Sequence, residues 1–372
     1  MATIAEEKDR MTRRIFNFGA GPAVLPEPVL EEVQRDLLAL PGAGMSILEI
    51  SHRSKTFEEI LDGAIADVRR LAAIPSNYHV LFLGGGASLQ FSMVPMNLLG
   101  ADRSADYVVT GVWSKKAVKE AQKVGMVSIA ATTEDEGFSR IPEQSELRLD
   151  AEAAYVHITT NNTIYGTEWQ KEPETGSVPL VADVSSDIFS RPIDLSRYAL
   201  LYAGAQKNLG PAGVTLVVIR EDLLAHSPQG LPTMLDYNTH AKDKSLYNTP
   251  PVFAVYVVRL VVKWMLEMGG LEAVGRANAA KAQALYDAID SSGGFYRPHA
   301  KPDSRSNMNV TFRLPSEELE KAFVSEAAKE GLSGLKGHRS VGGIRASIYN
   351  AMPKKGVDAL VSFMKQFASR NG

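Results

Sequence analysis

Lys207 lies in Leu200-Leu201-Tyr202-Ala203-Gly204-Ala205-Gln206-Lys207-Asn208-Leu209-Gly210-Pro211-Ala212-Gly213, after one apolar run and before the next, residues 214–219. Runs of that composition read as buried strands, and the Gly and Pro between them as a turn. An ammonium is costly to bury, and its stem loses rotamer freedom when ordered. Schiff-base chemistry with a carbonyl cofactor is one use for a lysine there, since a desolvated or tuned amine is the usual nucleophile. A loop lysine facing water is the other. Asp183 closes a second apolar run, residues 178–182. A carboxylate there can hold a pyridine nitrogen protonated, making the ring a stronger electron sink, or it can cap the following turn. In Leu83-Gly84-Gly85-Gly86-Ala87-Ser88-Leu89-Gln90 the glycines allow close approach and the start of a helix favours phosphate. A tight strand-to-helix turn would use the same residues. The stretch has no Gly-Lys-Ser/Thr and is a poor dinucleotide fingerprint, which favours a smaller phosphorylated cofactor.

The basic residues point to the substrate. Gly337-His338-Arg339 and Arg345 set two arginines beside glycines and before a strand, a pair too costly to bury without anions. The planar guanidinium suits carboxylate and phosphate bidentately. His52 and Arg53 stand just before a helix, where a cation is poorly placed against the positive helix end and an external anion explains it better.

Such residues need elements to place them. A helix opens at Pro26-Glu27-Pro28 and ends by Pro41-Gly42, and a second runs from about 56 with Phe57, Ile60, Leu61, Ile65, Val68 and Leu71 at helical spacing. Strands at 79–83, 107–110, 126–130 and 154–159 alternate with helices at 87–99 and 113–124, the doubly wound pattern. Three further apolar runs, 180–184, 199–203 and 214–219, read as strands of a sheet covered on both faces. Ligands of such a sheet bind at the carboxyl ends of the strands, where Asp183 and Lys207 fall. Residues 227–251 are polar and aperiodic, a loop length that is uncommon unless the segment binds something or bridges subunits. Helices at 252–267 and 271–289 follow, then strand 309–314, helix 317–330, strand 343–348 and helix 357–367, a smaller α+β unit.

The chain has 372 residues and is 45% hydrophobic, enough for two cores. Forty Lys and Arg against 43 Asp and Glu give a net charge of −3 with no basic block, so nothing favours nucleic acid. Zero cysteines removes disulfides, cysteine zinc sites and thiol nucleophiles, excludes a cysteine desulfurase, and suits a reducing compartment. No metal is expected. Residues 1–14 lack the apolar core of a signal peptide, and 251–266 are interrupted by Arg259 and Lys263 and too short for a span, so a cytoplasmic protein off the membrane is expected.

The chain resembles the phosphoserine aminotransferases, within the class V pyridoxal-phosphate enzymes of aspartate-aminotransferase-like fold. The match runs in order through Asn17-Phe18-Gly19-Ala20-Gly21-Pro22-Ala23, Ser51-His52-Arg53, the triple glycine, Thr110-Gly111-Val112-Trp113-Ser114, Asn161-Asn162-Thr163-Ile164-Tyr165-Gly166-Thr167, the Lys207 stretch, and Gly337-His338-Arg339-Ser340-Val341-Gly342-Gly343-Ile344-Arg345-Ala346-Ser347. The resemblance implies a flexible tail (1–15), a large cofactor domain with a mostly parallel doubly wound sheet (16–265) and a small α+β domain (266–372). It implies pyridoxal 5′-phosphate on Lys207, with Asp183 at the ring nitrogen, Trp113 stacked on the ring, Thr163 donating to the ring oxygen, and Ala87, Ser88 and Gln206 completing the subunit's own share. Asn248 and Thr249 of the partner subunit would touch the phosphate, making a homodimer with shared sites. Arg345 would take the α-carboxylate, and His338 and Arg339, with His52 and Arg53 of the partner subunit, the substrate phosphate or the glutamate side chain. The implied reaction moves an amino group between glutamate and 3-phosphohydroxypyruvate in serine biosynthesis; in some bacteria the family also serves pyridoxine synthesis. Two rivals stand beside it: a class V enzyme pairing alanine or serine with glyoxylate, and a catalytically silent protein of the same fold.

Overall fold

Apolar runs buried along nearly their whole length build the larger unit. In the computed structural model, which describes residues 14–100 and 102–372, a short first strand, β1 (Phe16–Asn17), precedes helices Glu27–Asp36 and Lys55–Leu71. Then come β2 (Tyr78–Leu83), helix Gly86–Leu98, β3 (Ser104–Val109), helix Val112–Ala121, β4 (Met126–Thr132) and β5 (Val156–Thr159). A two-stranded excursion, β6 (Asn161–Asn162) and β7 (Thr167–Glu168), precedes β8 (Leu180–Asp183), β9 (Leu200–Gly204) and β10 (Thr215–Arg220). These form one seven-stranded sheet in the order β2-β10-β9-β8-β5-β3-β4. All neighbours are parallel except at β10, which runs antiparallel to both β2 and β9. Leu216 and Val218 enter the apolar cluster on one face, Val217 and Ile219 that on the other. Both faces are covered, so the runs read as continuously apolar in sequence.

Helices Val252–Glu267 and Gly270–Asp290 lead into the smaller unit, an antiparallel sheet in the order β11 (Arg297–Pro298), β12 (Asn309–Arg313) and β14 (Ile344–Ser347). Helices Glu317–Lys329 and Lys354–Asn371 and the strand β13 (Leu332–Ser333) complete it. Phe312, Phe323, Phe363 and Phe367 centre its core. Two expectations change. β1 pairs in parallel with β13 and Phe18 is buried in the small core, so this stretch, assigned above to the large domain, packs on the small one. Strand pairing over more than three hundred residues leaves no local trace. The segment 227–251 also carries a short helix, Tyr237–Lys242, capped by Asp236, whose side chain accepts from Asn238 N. Of the tail expected over 1–15, only Arg14 and Ile15 fall within the described residues. No helix among the described residues is long and apolar enough to cross a membrane.

Candidate active site

Lys207, Thr163, Trp113, Asp183 and Arg345 meet at the carboxyl edge of the large sheet. Lys207 Nζ donates to Thr163 Oγ1 at 2.8 Å and lies 5.4 Å from the centroid of the Trp113 ring. The turn that bears it is tight: Ala205 N donates to Val214 O, and Leu209 N and Gly210 N both donate to Ala205 O. Burial lowers the Lys207 pKa; Asp183 opposes that shift and Arg345 adds to it. A half-buried amine with a weakened hold on its proton has the free-base fraction that a nucleophile needs.

Asp183 ends β8 and is buried. Its Oδ1 accepts from Ser185 N at 3.0 Å and Ser185 Oγ at 2.6 Å. Ser185 Oγ itself accepts from Gly204 N at 3.0 Å. With that acceptor side filled, the hydroxyl proton is committed to Asp183, whose Oδ2 has no described partner. Nearby, the buried carboxyl of Asp187 accepts from Thr160 Oγ1 at 2.5 Å, and burial, then Glu168, push its pKa up.

Trp113 opens the helix after β3 and is oriented by its neighbour. Ser114 Oγ accepts from Thr110 N and Gly111 N, both at 3.0 Å. Asn162 Nδ2 donates to Thr110 Oγ1 at 3.1 Å, joining this turn to the Thr163 loop. At the glycine turn Gly85 has φ +87°, and a Cβ there would stand 2.4 Å from the Leu89 side chain, so the backbone can turn this sharply only without a side chain. Ala87 and Ser88 thereby occupy the first turn of the following helix, where backbone N–H groups lack intrahelical acceptors.

Arg345, on β14, reaches across from the small unit: its Nη1 donates to Thr163 O at 3.4 Å, while Nε is buried without a partner. Burial lowers its pKa. A guanidinium with an unfilled donor is suited to a carboxylate. His338 hydrogen-bonds Ser340 Oγ through Nδ1 at 2.7 Å; burial, then Arg345, Arg339 and Lys116, lower its pKa. Arg313 Nη1 donates to Val341 O at 3.0 Å and Gly343 N donates to Glu320 Oε2 at 3.2 Å, pinning the loop that carries His338 and Arg339. Lys116, whose Nζ is 4.6 Å from the Trp113 ring centroid, was not singled out from the sequence; its only signal there is its place one helical turn after Trp113.

Gln206 accepts from Ala23 N through its carbonyl, and its side chain folds over Gly204, where a Cβ would meet it at 2.8 Å. The other four expected residues are not brought to Lys207 by any described contact. Asn248 and Thr249 are exposed and line a cavity of about 150 Å³ with Phe82, Leu83 and Gly84. Arg53 is exposed, and His52 Nε2 is buried without a partner.

The donor set fits a phosphorylated pyridine aldehyde: Lys207 for the carbonyl, Asp183 Oδ2 for a ring N–H, the Trp113 face for the ring, and the helix start at Ala87 and Ser88 for the phosphate. The family model for class-V aminotransferases matches residues 15–360. The chain is 59% identical to the phosphoserine aminotransferase of Herpetosiphon aurantiacus over 358 residues, 96% of this chain and 99% of that one. The chain belongs to the phosphoserine aminotransferase family of class V. Its structure overlays that of the Bacillus circulans subsp. alkalophilus phosphoserine aminotransferase with a TM-score of 0.95 at 54% identity, covering 96% of this chain and 99% of that one. A pyridoxal-phosphate-bound phosphoserine aminotransferase from Trichomonas vaginalis overlays with a TM-score of 0.90 at 39% identity, covering 95% and 100%.

Proposed function

We propose that this chain carries pyridoxal phosphate on Lys207 and transfers an amino group between L-glutamate and 3-phosphohydroxypyruvate, giving O-phospho-L-serine and 2-oxoglutarate. The convergence of Lys207, Thr163 and Trp113 on one side with Arg345 on the other is the observation that carries this reading. When bound, pyridoxal phosphate supplies a carbonyl that takes up the amino group and a ring that accepts electrons. Lys207 Nζ, as free amine, takes the proton from substrate Cα and returns it as general acid. Asp183, its Oδ1 committed to Ser185, keeps Oδ2 for the proton on the ring nitrogen. Arg345 holds the α-carboxylate against the Thr163 loop, so Cα stays within reach of Lys207. His338 and Arg339 take the second anionic group, phosphate or side-chain carboxylate in turn.

This assignment is checked by mixing the enzyme with one amino acid at a time and following loss of the visible cofactor band. Phosphoserine and glutamate are expected to react with far higher efficiency than serine or alanine, because only they fill the basic loop. Alanine or serine outrunning phosphoserine would favour the glyoxylate-type rival.

A homodimer with shared sites completes the proposal. Within one chain, His52, Arg53, Asn248 and Thr249 have no described contact with Lys207, and Leu38, fourteen residues before His52, is 89% exposed. A twofold axis lets one subunit's segments complete the other's pocket. Arg53→Ala and Lys207→Ala subunits, each poorly active alone, should regain activity when mixed. No recovery after verified subunit exchange would place each site within one chain.

A further inference from the structure

Behind Lys207 lies a buried amide network that the chemistry above does not use. Asn208 Oδ1 accepts from Asn350 N at 2.9 Å, and Asn208 Nδ2 donates to Ile188 O at 2.6 Å. Asn350 Nδ2 donates to Phe189 O at 2.9 Å. Asn278 Nδ2 donates to both Asn350 Oδ1, at 2.7 Å, and Ser190 O, at 2.8 Å. Every amide here has its oxygen and nitrogen sorted by an unambiguous backbone partner or by another amide already sorted. One turn further along the same helix, Lys281, 3% exposed, donates to the carbonyls of Ile348, Tyr349 and Met352 at 3.0, 2.7 and 3.1 Å. Burial pushes its pKa down to about 7, whereas a cluster of carbonyl acceptors favours the ammonium with its three donors. No carboxylate is paired with it among the described residues, so its cation is balanced by carbonyl dipoles of this one turn.

Three turns are tied together in this way, and each follows a residue of the site or the strand that carries one. Residues 184–190 follow Asp183, Asn208 follows Lys207, and residues 348–352 follow the strand of Arg345. The first two belong to the large sheet and the third to the small unit. A buried amide network of this kind is rigid, with Asn278 Oδ1 its one amide oxygen without a partner among the described residues, and removing one member leaves others unsatisfied.

We propose that Asn350, its side chain held between Asn278 and Phe189 O, is a positioning residue: it presents its backbone N–H to Asn208 Oδ1 and so fixes the Lys207 turn against the loop that follows the Arg345 strand. It touches neither substrate nor cofactor; it sets the separation between the amine that works at Cα and the guanidinium that holds the carboxylate. The role of those two groups rests on the function proposed above.

Asn350→Ala and Asn278→Ala test this, with Asn350→Asp keeping the acceptor for Asn278 while losing the donor to Phe189 O. In cofactor-free protein, the pH dependence of Lys207 acylation by acetic anhydride, read by peptide mass spectrometry, should shift in all three variants, because the amine no longer sits in its present field. In holoenzyme, the single-turnover rate with saturating phosphoserine should fall by on the order of 10²-fold, the cost of a misplacement near 1 Å, with glutamate affected equally. An unchanged acylation profile and single-turnover rate beside a lowered Tm would overturn the proposal and leave a purely structural network. If Asn350→Ala does not fold, the same readings on Asn278→Ala decide it. The acylation result is independent of substrate identity, so it stands even where the four-amino-acid comparison favours alanine.

Discussion

Lys207→Ala is expected to reduce multiple-turnover kcat by about 10²–10⁴-fold or more, the range for loss of a general acid–base group, while cofactor remains bound through its other contacts. The amine has no substitute in the geometry. Thr163 Oγ1, 2.8 Å away, is a hydroxyl that cannot collect a Cα proton near neutral pH. Lys116 Nζ approaches the Trp113 ring at 4.6 Å but is exposed and has no described contact with Thr163. Lys207→Arg should be no better, since a guanidinium stays protonated and cannot act as a nucleophile. Borohydride reduction and peptide mapping provide the second reading: a cofactor adduct on Lys207 in the parent and none in the variant. Near-parental turnover, or an adduct on another lysine, would remove Lys207 from its role.

Arg345→Ala and Arg339→Ala should separate by substrate. Every amino acid carries an α-carboxylate, so loss of Arg345 should lower kcat/KM for phosphoserine, glutamate, serine and alanine alike. Removing a charged partner from a buried pair costs roughly 2–5 kcal/mol, which is about thirtyfold to several-thousandfold. Arg345 is half-buried with an unfilled Nε, so the upper part of that range applies. Arg339 is exposed in the single chain, so its effect should be smaller and should shrink with added salt. It should also be selective, lowering phosphoserine and glutamate while leaving alanine nearly unchanged. The measurement is kcat/KM for the four amino acids at two ionic strengths. Equal losses across all four for Arg339→Ala would take Arg339 away from the second anion.

Residue type and local spacing made much of the site legible. A lysine between two apolar runs, a carboxylate closing a third, and a triple glycine before a helix each state a local requirement that water, burial or backbone geometry imposes at that point. The strands at β8, β9 and β10 were readable for the same reason, because a doubly covered sheet leaves uninterrupted apolar runs. Pattern alone also set the helix Val252–Glu267 at its observed bounds.

Long-range pairing carries no such local mark. That β10 runs antiparallel between β2 and β9, or that Phe16–Asn17 adds to Leu332–Ser333, depends on which edges meet after collapse. The same holds for polar neighbours: Ser185 beside Gly204, Arg345 beside Thr163, and Asn350 beside Asn208 lie far apart in the chain or on different strands. Hydrogen bonds are short-ranged and directional, so their partners exist only once the fold has fixed distance and angle. The sequence by itself determined which residues have the chemistry for amino transfer and which elements carry them. Only the tertiary structure decided that the lysine lies 2.8 Å from Thr163 and that the buried Asn208 beside it accepts from Asn350 N in the loop after the strand of Arg345.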